Sequence, residues 1–484
     1  MSGAVFTLGN SVSGSLGLGD AISKLGRVAA TGLTIEQDPD TVNSYLTTRY
    51  AGLSAVTSGG VTTFLNPSLV VIPSAYNNGI VYSLHSKQVN TGDFTVTRNT
   101  EARRVNSAGQ IASIGSGLPR LDYLTSGGTV GTPSLLVEPS GTNLFARSNE
   151  LNIGSPWTQD NISFTTGSTS AFTSPDGTTN AFLLADTSGN TRHRISQQPT
   201  TSFVSGTTYT ASIFVKKNSS NRFLLINAAT AFGAQACLNL DTLAITNIIG
   251  TGASIDNYGN GWYRFLVRGT ATSTQATSVF IQMQNAAADG TYIGNGSSFY
   301  LFGAQLETGS VATSYIPTTT GTGSRSADVV SVSGAVSGSI GQTEGTIYAE
   351  VDIRNSVTAA ILGLDNNSAT DFIIIFRNSS RQITVTIRRA NGSLDAIITS
   401  SVLPVGVHKV ALKYTNGNYA LWINGLLAGT SINSVSFPTS LTACRLGANA
   451  FGSGAGDPFN DRIRAAALYT TRLTDAELAT LTTL

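Results

Sequence analysis

The sequence predicts an all-β protein, and its composition and hydrophobic pattern both indicate this class. Charged residues make up only 11% of the 484 residues, while 40% are hydrophobic and 51 are glycines. Ordinary soluble proteins carry roughly 25% charged residues. Many short apolar/polar alternations are separated by turns rich in Asn, Gly and Ser, and this is the period of half-buried strands. Disorder is a poor explanation, because disordered chains have low hydrophobicity.

The stretch 411–429 contains the clearest strand pattern. Asn416-Gly417 stands between two alternating apolar runs, and an Asn-Gly pair favours the type I′ turn of a tight hairpin. Asn424-Gly425 predicts a second tight turn. Along the strand between the turns, alternation puts Trp422 on the face opposite Leu421.

The end of the chain, residues 461–484, predicts one strand followed by a short helix. Thr474 and Glu477 have the spacing of a capping box, and Leu473 and Leu478 hold the positions of a hydrophobic staple around it. A helix N-terminus is therefore expected at this point.

Two of these segments carry a family resemblance. Trp422 to Gly425 reads aromatic-x-Asn-Gly, and Leu473 to Glu477 reads Leu-Thr-Asp-x-Glu. Through these motifs residues 329–484 resemble the concanavalin-A-like lectin or laminin-G-like family. The resemblance implies a jelly-roll β-sandwich, often one that binds a glycan.

The chain divides by pattern into three parts. Residues 1–90 have the weakest pattern, and we interpret them as a mixed N-terminal attachment or oligomerisation region. Residues 91–328 combine an arginine-rich lead-in with a first β-sandwich. A Gly/Thr/Ser stretch at 318–330 predicts a linker, and residues 329–484 form the second sandwich. The predicted architecture is thus a tandem of antiparallel β-sandwiches.

A second resemblance covers residues 91–328. It rests on runs at 94–111, 118–123 and 135–144, followed by Tyr300 to Glu307 and Ser314 to Thr318. In this order they resemble a module of tailed-bacteriophage structural proteins that precedes a carbohydrate-binding-like sandwich. The resemblance implies a virion protein.

The lead-in concentrates arginines and carboxylates. Its main charged residues are Arg98, Arg104, Arg120, Asp122 and Glu138. Paired guanidinium groups could clamp an acidic sugar. The favoured interpretation is a structural ion-pair network that fixes the register of the strands, because charges near a core are usually paired.

Composition excludes several partners. The net charge is +1 without a basic stripe, so nucleic acid is not expected. No apolar run approaches 18 residues, so no membrane span is expected. The start at Met1 lacks the pattern of a signal peptide, which favours synthesis in the host cytoplasm and export on a virion. Cys237 and Cys444 are expected to be buried thiols.

No catalytic motif of hydrolases, zinc proteases or P-loop proteins occurs. We therefore expect no enzymatic activity. A glycan depolymerase is the least favoured alternative, because two distant carboxylates can always meet in a fold.

Sugar binding needs an aromatic face and hydrogen-bonding groups. The candidates for glycan contact are Trp422, Trp157, Tyr258 and Asn424. Trp422 either faces solvent or packs inside the sandwich, and the sequence leaves both open. Trp157 is expected to be the more exposed tryptophan.

No cofactor is expected, although lectin jelly rolls often bind calcium through loop oxygens. Asp365, Asn367 and Asp457 are the candidate ligands. Ordinary Asn/Asp turns are the alternative.

The sequence therefore favours a bacteriophage tail fibre, tail spike or head fibre whose lectin-like sandwiches bind host surface polysaccharide. Its N-terminal region would bind other virion proteins. A homo-oligomer, with a trimer favoured, would multiply weak sugar sites. The alternative is a purely structural capsid decoration or fibre protein that binds only virion partners.

Overall fold

The computed structural model describes residues 55–58, 61–64, 67–77, 80–85 and 94–484. Within the last range it omits residues 126, 220–221, 287–289, 335, 369–370, 389–393, 433–437, 439 and 449–458. Most of the predicted N-terminal region lies outside the described residues, and so does the candidate calcium ligand Asp457.

Nearly all elements of the described chain are short strands. The first are β1 (Ala55–Ser58), β2 (Val61–Phe64), β3 (Leu69–Asn77), β4 (Ile80–His85), β5 (Phe94–Thr97), β6 (Ala102–Val105), β7 (Ile111–Ile114), β8 (Arg120–Leu124) and β9 (Val130–Val137). The middle part contains β10 (Gly141–Asn143), β11 (Thr158–Asp160), β12 (Ile162–Thr165), β13 (Phe182–Asp186), β14 (Asn190–Thr191), β15 (His193–Gln197), β16 (Thr208–Lys217), β17 (Phe223–Ala228), helix α1 (Ala229–Phe232), β18 (Ala234–Asn239), β19 (Ile245–Ile249), β20 (Gly252–Gly259), β21 (Trp262–Thr270), β22 (Val279–Gln284), β23 (Tyr292–Ile293), β24 (Ser298–Thr308) and β25 (Gly323–Arg325).

The C-terminal part contains β26 (Val329–Ser333), β27 (Glu344–Ile353), β28 (Ala359–Asp365), β29 (Phe372–Arg377), β30 (Gln382–Arg388), β31 (Leu394–Val402), β32 (Gly406–Thr415), β33 (Asn418–Ile423), β34 (Leu426–Ile432), β35 (Ala443–Leu446), β36 (Asp461–Tyr469) and helix α2 (Asp475–Thr482). Two 3-10 turns, Ser170–Phe172 and Ser337–Ser339, complete the elements. The predicted all-β class, with tandem antiparallel sandwiches, is confirmed.

The first sandwich consists of two six-stranded antiparallel sheets. One has the order β11-β15-β22-β17-β18-β19, and the other has the order β12-β13-β24-β16-β21-β20. Their facing side chains form one core that includes Ile213, Leu224 and Phe265. Alternation along β21 sends Phe265 and Val267 into this core, so Arg264, Leu266 and Arg268 lie on the outer face of the sheet.

The second sandwich is built from one long antiparallel path. Its order is β31-β30-β29-β28-β35-β26-β5-β4-β3-β36-β27-β32-β33-β34. The core between its two halves contains Tyr419, Leu421 and Ile423 on one face of β33, as the alternation predicts.

Strand pairing crosses the predicted domain boundaries. Strands β3, β4 and β5 lie between β36 and β26 in the C-terminal sheet, and β9 pairs with β36. The cross-strand partners include Leu69 with Leu468 and Val96 with Val330. Parts of the predicted N-terminal region and lead-in therefore complete the second sandwich, whose sheet is not confined to residues 329–484.

The Gly/Thr/Ser stretch at 318–330 is a structured part of the junction. Strand β25 within it pairs with β10, and Arg325 and Asp328 are both buried. It connects the sandwiches, but hydrogen bonds and ion pairs hold it in place.

The two predicted turns of the 411–429 segment differ in geometry. At Asn416-Gly417 only the glycine has a positive φ, of 71°, so the expected type I′ turn is not formed there. At Asn424-Gly425 both residues have positive φ, 51° and 83°, which is the type I′ requirement. The capping box of Thr474 and Glu477 is confirmed at the start of α2.

A buried ion-pair hub joins the lead-in to both sandwiches. We use this name for Arg98, Arg120, Glu138, Arg325 and Asp328. The fully buried Arg120 guanidinium contacts Glu138 at 2.5 Å and also pairs with Asp328. Arg98 donates to Asp328 at 2.9 Å, and Arg325 lies 3.3 Å from Glu138.

Two further residues of the predicted network lie beside the hub. Asp122 on β8 pairs with Arg462 on β36 at 2.5 Å, which ties the lead-in to the second sandwich. Arg104 on β6 is buried as well, and burial lowers the pKa of its guanidinium. Arg98, Arg120, Asp122 and Glu138 thus form buried ion pairs, the arrangement expected of a structural network.

Burial alone would raise the pKa of Glu138, but the charges of Arg120 and Arg325 and the hydrogen bonds of Ser314 and Arg120 outweigh it. Together they lower the pKa of Glu138 to about 2. A carboxyl whose pKa falls on folding stabilises the protein above its unfolded pKa of about 4.5. This stabilisation, about 3 kcal/mol, is lost as the pH falls from 4.5 towards 2.

We therefore expect Glu138→Gln to lower the free energy of unfolding by about 3 kcal/mol at pH 7, because it leaves Arg120 buried with one counterion fewer. The difference from wild type should shrink below pH 4.5. Urea titrations at pH 7 and pH 3 measure both values. Glu150→Gln is the control, since its pair with Arg147 is partly exposed and contributes less than about 1 kcal/mol. An equal deficit of E138Q at both pH values would contradict the assignment.

Candidate functional site: a cleft between the two sandwiches

A cavity of about 280 Å³ lies where the first sandwich, the lead-in and the second sandwich meet. The first sandwich contributes Ser254, Asp256, Tyr258, Arg264, Leu266 and Arg268. The lead-in contributes Arg103, Arg104, Val105, Ile111, Asp122, Leu124 and Glu138, and the second sandwich contributes Arg354, Asn355, Arg381, Val405, Asp461 and Arg462. We call this cavity the junction cleft.

The wall from the first sandwich follows from strand alternation. Strand β20 is the edge of its sheet and pairs only with β21. Asp256 stands opposite Arg264, and Ser254 stands opposite Leu266. Because Phe265 and Val267 occupy the inner core, the alternate residues of both strands face the cleft.

Tyr258 is the aromatic residue at the end of this wall. Its ring packs edge-to-face against Phe214, with ring centroids 4.9 Å apart. It is partly buried, and burial raises the pKa of its hydroxyl, so the phenol is neutral at physiological pH. Tyr258 also lines a second cavity of about 250 Å³, together with Lys216, Asn260 and Trp262.

A second buried ion pair holds the opposite wall. The side chains of Arg377 and Asp461 are almost completely buried and pair with each other. The Asp461 carboxylate also accepts hydrogen bonds from the Arg354 backbone and the Asn355 side chain, both at 3.0 Å. Burial raises the pKa of Asp461 to about 6, although the charge of Arg377 opposes it. The cleft wall is therefore fixed by contacts within the second sandwich.

Seven arginines and four carboxylates line the junction cleft. Several arginines are engaged in the structure: Arg264 donates to the Thr313 carbonyl at 2.5 Å, and Arg354 pairs with Asp352 at 2.8 Å. Arg268 and Arg381 differ from these, because among the described residues each makes one side-chain hydrogen bond, to a backbone carbonyl, and no ion pair.

The structure contradicts the expectation that Trp157 is an exposed sugar-binding residue. Its side chain is fully buried in the core of the first sandwich, 5.2 Å from the Phe145 ring. Its Nε1 donates to the Arg147 carbonyl at 3.1 Å. The indole has no face to offer a ligand.

The sequence leaves open whether Trp422 faces solvent or packs inside the sandwich, and the structure shows neither arrangement. It stands opposite Ala411 and so shares the outer sheet face of Lys409 and Lys413. Both lysines reach α2, Lys413 through Asp475 and Lys409 through the Thr483 carbonyl at the end of the helix. Trp422 is therefore partly buried on the face that α2 covers.

Asn424 has a structural role in the turn. Its Oδ1 accepts a hydrogen bond from the Lys409 backbone at 3.1 Å, and its Nδ2 contacts His408 Nδ1 at 2.9 Å. These contacts and its positive φ explain the aromatic-x-Asn-Gly motif by turn geometry. Of the four glycan candidates, only Tyr258 lines the junction cleft.

The two candidate calcium ligands that the structure describes, Asp365 and Asn367, are engaged in other contacts. The buried Asp365 carboxylate accepts from Arg445 Nε at 2.8 Å and from the Asn367 backbone at 2.8 Å. The Asn367 amide bonds Ser333 Oγ at 2.9 Å and Arg445 at 2.8 Å. Within the described ranges no group of three or more His, Cys, Asp or Glu residues could hold a metal ion. The Asp365 carboxylate is thus paired with Arg445.

Sequence reasoning missed Arg268 and Arg381 as site residues. The sequence does contain a pattern that could have identified Arg268, because Arg264 and Arg268 alternate with the apolar residues Phe265 and Val267 along one strand. For Arg381, a turn residue, no local pattern gives the direction of the side chain. In the described part of the chain, no helix has the length and apolar character needed to cross a membrane.

Residues 324–479 match the model of the family described as Concanavalin A-like lectin/glucanases superfamily. The second sandwich is thus a concanavalin A-like, laminin G-like jelly roll, as its terminal motifs predict. Comparison with curated proteins finds no match.

Several solved structures are similar to part of this chain. The CBM40 of the Ruminococcus gnavus IT-sialidase bound to alpha2,3 sialyllactose is 21% identical with a TM-score of 0.27, over 30% of this chain and 84% of that chain. Domain 4 of AbnA, a GH43 extracellular arabinanase from Geobacillus stearothermophilus in complex with arabinotriose, is 14% identical with a TM-score of 0.26, over 36% and 82%. The heptameric SAP-like pentraxin from Limulus polyphemus is 15% identical with a TM-score of 0.23, over 29% and 69%. Similarities at this level carry no information about a ligand.

We expect Trp157→Ala to destabilise the first sandwich by roughly 3–5 kcal/mol, because it empties a large core site. Trp422→Ala should cost less, since that indole is partly exposed. Denaturant unfolding followed by tryptophan fluorescence and circular dichroism measures both. A W157A protein as stable as wild type would show that the indole is not a core residue.

Proposed function

We propose that the protein is a glycan-binding structural protein of a bacteriophage particle and that the junction cleft is its binding site. The observation that carries the glycan site is the meeting of an aromatic ring, Tyr258, with polar side chains from three parts of the chain around one cavity. Ligand sites favour such concave places at domain interfaces. The cavity volume is near the lower end of the ~300–1,000 Å³ range of ligand pockets.

The cleft wall from the first sandwich carries the kinds of group that bind a sugar. The C–H groups of a pyranose pack on an aromatic face, while its hydroxyls need donors and acceptors. The edge-to-face contact with Phe214 holds the Tyr258 ring in one orientation. Asp256, exposed on the same strand, and Ser254 beside it supply hydrogen-bonding groups. A ring fixed before binding loses little conformational freedom when the sugar arrives.

The virion role rests on the sequence resemblance of residues 91–328 alone. Several of the residues that carry it, among them Arg98, Arg120, Glu138 and Ser314, form the contacts of the ion-pair hub. We infer a tail fibre, tail spike or head fibre, assembled as a homo-oligomer that multiplies weak sites. Light scattering of the full chain gives the copy number, and electron microscopy of antibody-labelled particles tests the location.

We expect Tyr258→Ala to weaken glycan binding about tenfold, which corresponds to about 1.4 kcal/mol and is typical of a lost aromatic contact. Tyr258→Phe should keep most of the affinity, since the ring remains. Binding is measured on a glycan array and then by titration calorimetry with the best oligosaccharide. Trp422→Ala is the matched control, because it removes an aromatic ring outside the cleft.

Two outcomes would overturn the glycan site. Equal affinities of wild type and Y258A would remove the cleft as the site. Absence of binding to every glycan would favour the alternative, a structural protein that contacts only virion partners. The proposal also includes no enzymatic activity, so a host polysaccharide shortened by the purified protein would contradict it.

A further inference from the structure

We propose that the junction cleft selects acidic glycans, and that Arg268 and Arg381 together hold a carboxylate or sulfate group of the sugar. This rests on the proposed function, because it assigns the class of ligand to the same cleft.

Arg268 is directed into the cleft by its strand. It follows the core residues Phe265 and Val267 in the alternation of β21, and it stands opposite Gly252 on β20. A Cβ at Gly252 would lie 3.2 Å from Arg268 Nε, so the guanidinium extends over the space that the glycine leaves. Its Nη1 donates to the Ser310 carbonyl at 3.2 Å. Its other nitrogens have no hydrogen-bond partner among the described residues.

Arg381 enters the cleft from the jelly roll. It lies in the turn between β29 and β30 with a φ of 58°, a conformation that favours Gly or Asn over a long side chain. Its Nε donates to the Leu403 carbonyl at 3.1 Å. Within the described part of the chain, its terminal nitrogens Nη1 and Nη2 have no partner. An arginine at a strained turn position, with its terminal nitrogens available, indicates that the guanidinium has a binding role.

The other charges of the cleft do not neutralise this pair. Asp122 is engaged by Arg462, Asp461 by Arg377, and Glu138 by Arg120. Asp256 is exposed, but it stands four residues along β20 from Gly252, which is roughly 13 Å at the rise of a strand. Its cross-strand partner on β21 is Arg264 and not Arg268. Arg268 and Arg381 therefore leave a local positive charge in the cleft.

Guanidinium groups match carboxylate and sulfate oxygens with paired, charge-assisted hydrogen bonds. A neutral sugar would use Tyr258 but would leave both guanidinium groups without an anion. An acidic sugar can place its ring near Tyr258 or the exposed Val405 and its anion between the arginines. Because one arginine comes from each sandwich, such a ligand would also bridge the two sandwiches.

The test uses the full chain on an array with neutral, uronic-acid, sialylated and sulfated oligosaccharides. We expect binding to acidic members, with loss of binding when a bound carboxylated member is carboxyl-reduced or a bound sulfated member is desulfated. These two treatments distinguish the carboxylate from the sulfate. Arg268→Gln and Arg381→Gln should each weaken binding about tenfold and reduce its dependence on salt. Arg192→Gln, an exposed arginine outside the cleft, is the matched control and should bind like wild type.

Binding to neutral members alone would overturn the selectivity and leave the proposed glycan site intact. Wild-type affinity of both R268Q and R381Q for an acidic member would also overturn it. Absence of binding to any member would instead count against the proposed function itself. Circular dichroism and melting temperature of each variant ensure that a loss of binding does not reflect unfolding.

Discussion

The arrangement of the two sandwiches depends on a single buried cation, the guanidinium of Arg120. Its side chain is fully buried between Glu138 and Asp328. Such a charge is stable in the folded protein only when it is paired with its counterions, because burying an unpaired charge costs several kcal/mol of folding free energy. Arg120 lies on β8, Glu138 follows β9, and Asp328 immediately precedes β26. The lead-in, the exit of the first sandwich and the start of the jelly roll must therefore meet at one place, in one register.

This constraint also shapes the junction cleft. Glu138 lines the cleft and at the same time belongs to the hub, and Asp122 ties β8, the strand that carries Arg120, to β36 through Arg462. The walls are consequently held by ion pairs whose partners come from different sheets. A cleft built this way is organised before a ligand arrives, which lowers the entropy lost on binding. The same geometry explains why most of its arginines are unavailable to a ligand, whereas Arg268 and Arg381 are placed to meet one.

Local sequence pattern predicted the class of the fold and much of its detail. Alternation correctly separated Leu421 from Trp422 on β33, and the Thr474 capping box marked the start of α2. It failed where pairing is non-local: β3 to β5, and β9, join the sheet of the C-terminal jelly roll. The residues of a strand indicate that it belongs to a sheet and which of its faces is apolar. Which strand it pairs with depends on the whole chain. For the same reason the stretch at 318–330, which has the composition of a linker, is held in the junction by buried charges.

For the candidate site, the sequence by itself determined that charges clustered in the lead-in would pair, but it did not single out Arg264 or Arg268. It also named Tyr258 as a glycan candidate, together with Trp422, Trp157 and Asn424. Only the tertiary structure decided that Trp157 is enclosed, that α2 covers the face of Trp422, and that Arg445 engages Asp365. The physical reason is that periodicity sets the direction of a side chain relative to its own strand. Whether that direction leads to solvent, a core or a shared cleft depends on which distant segment packs there.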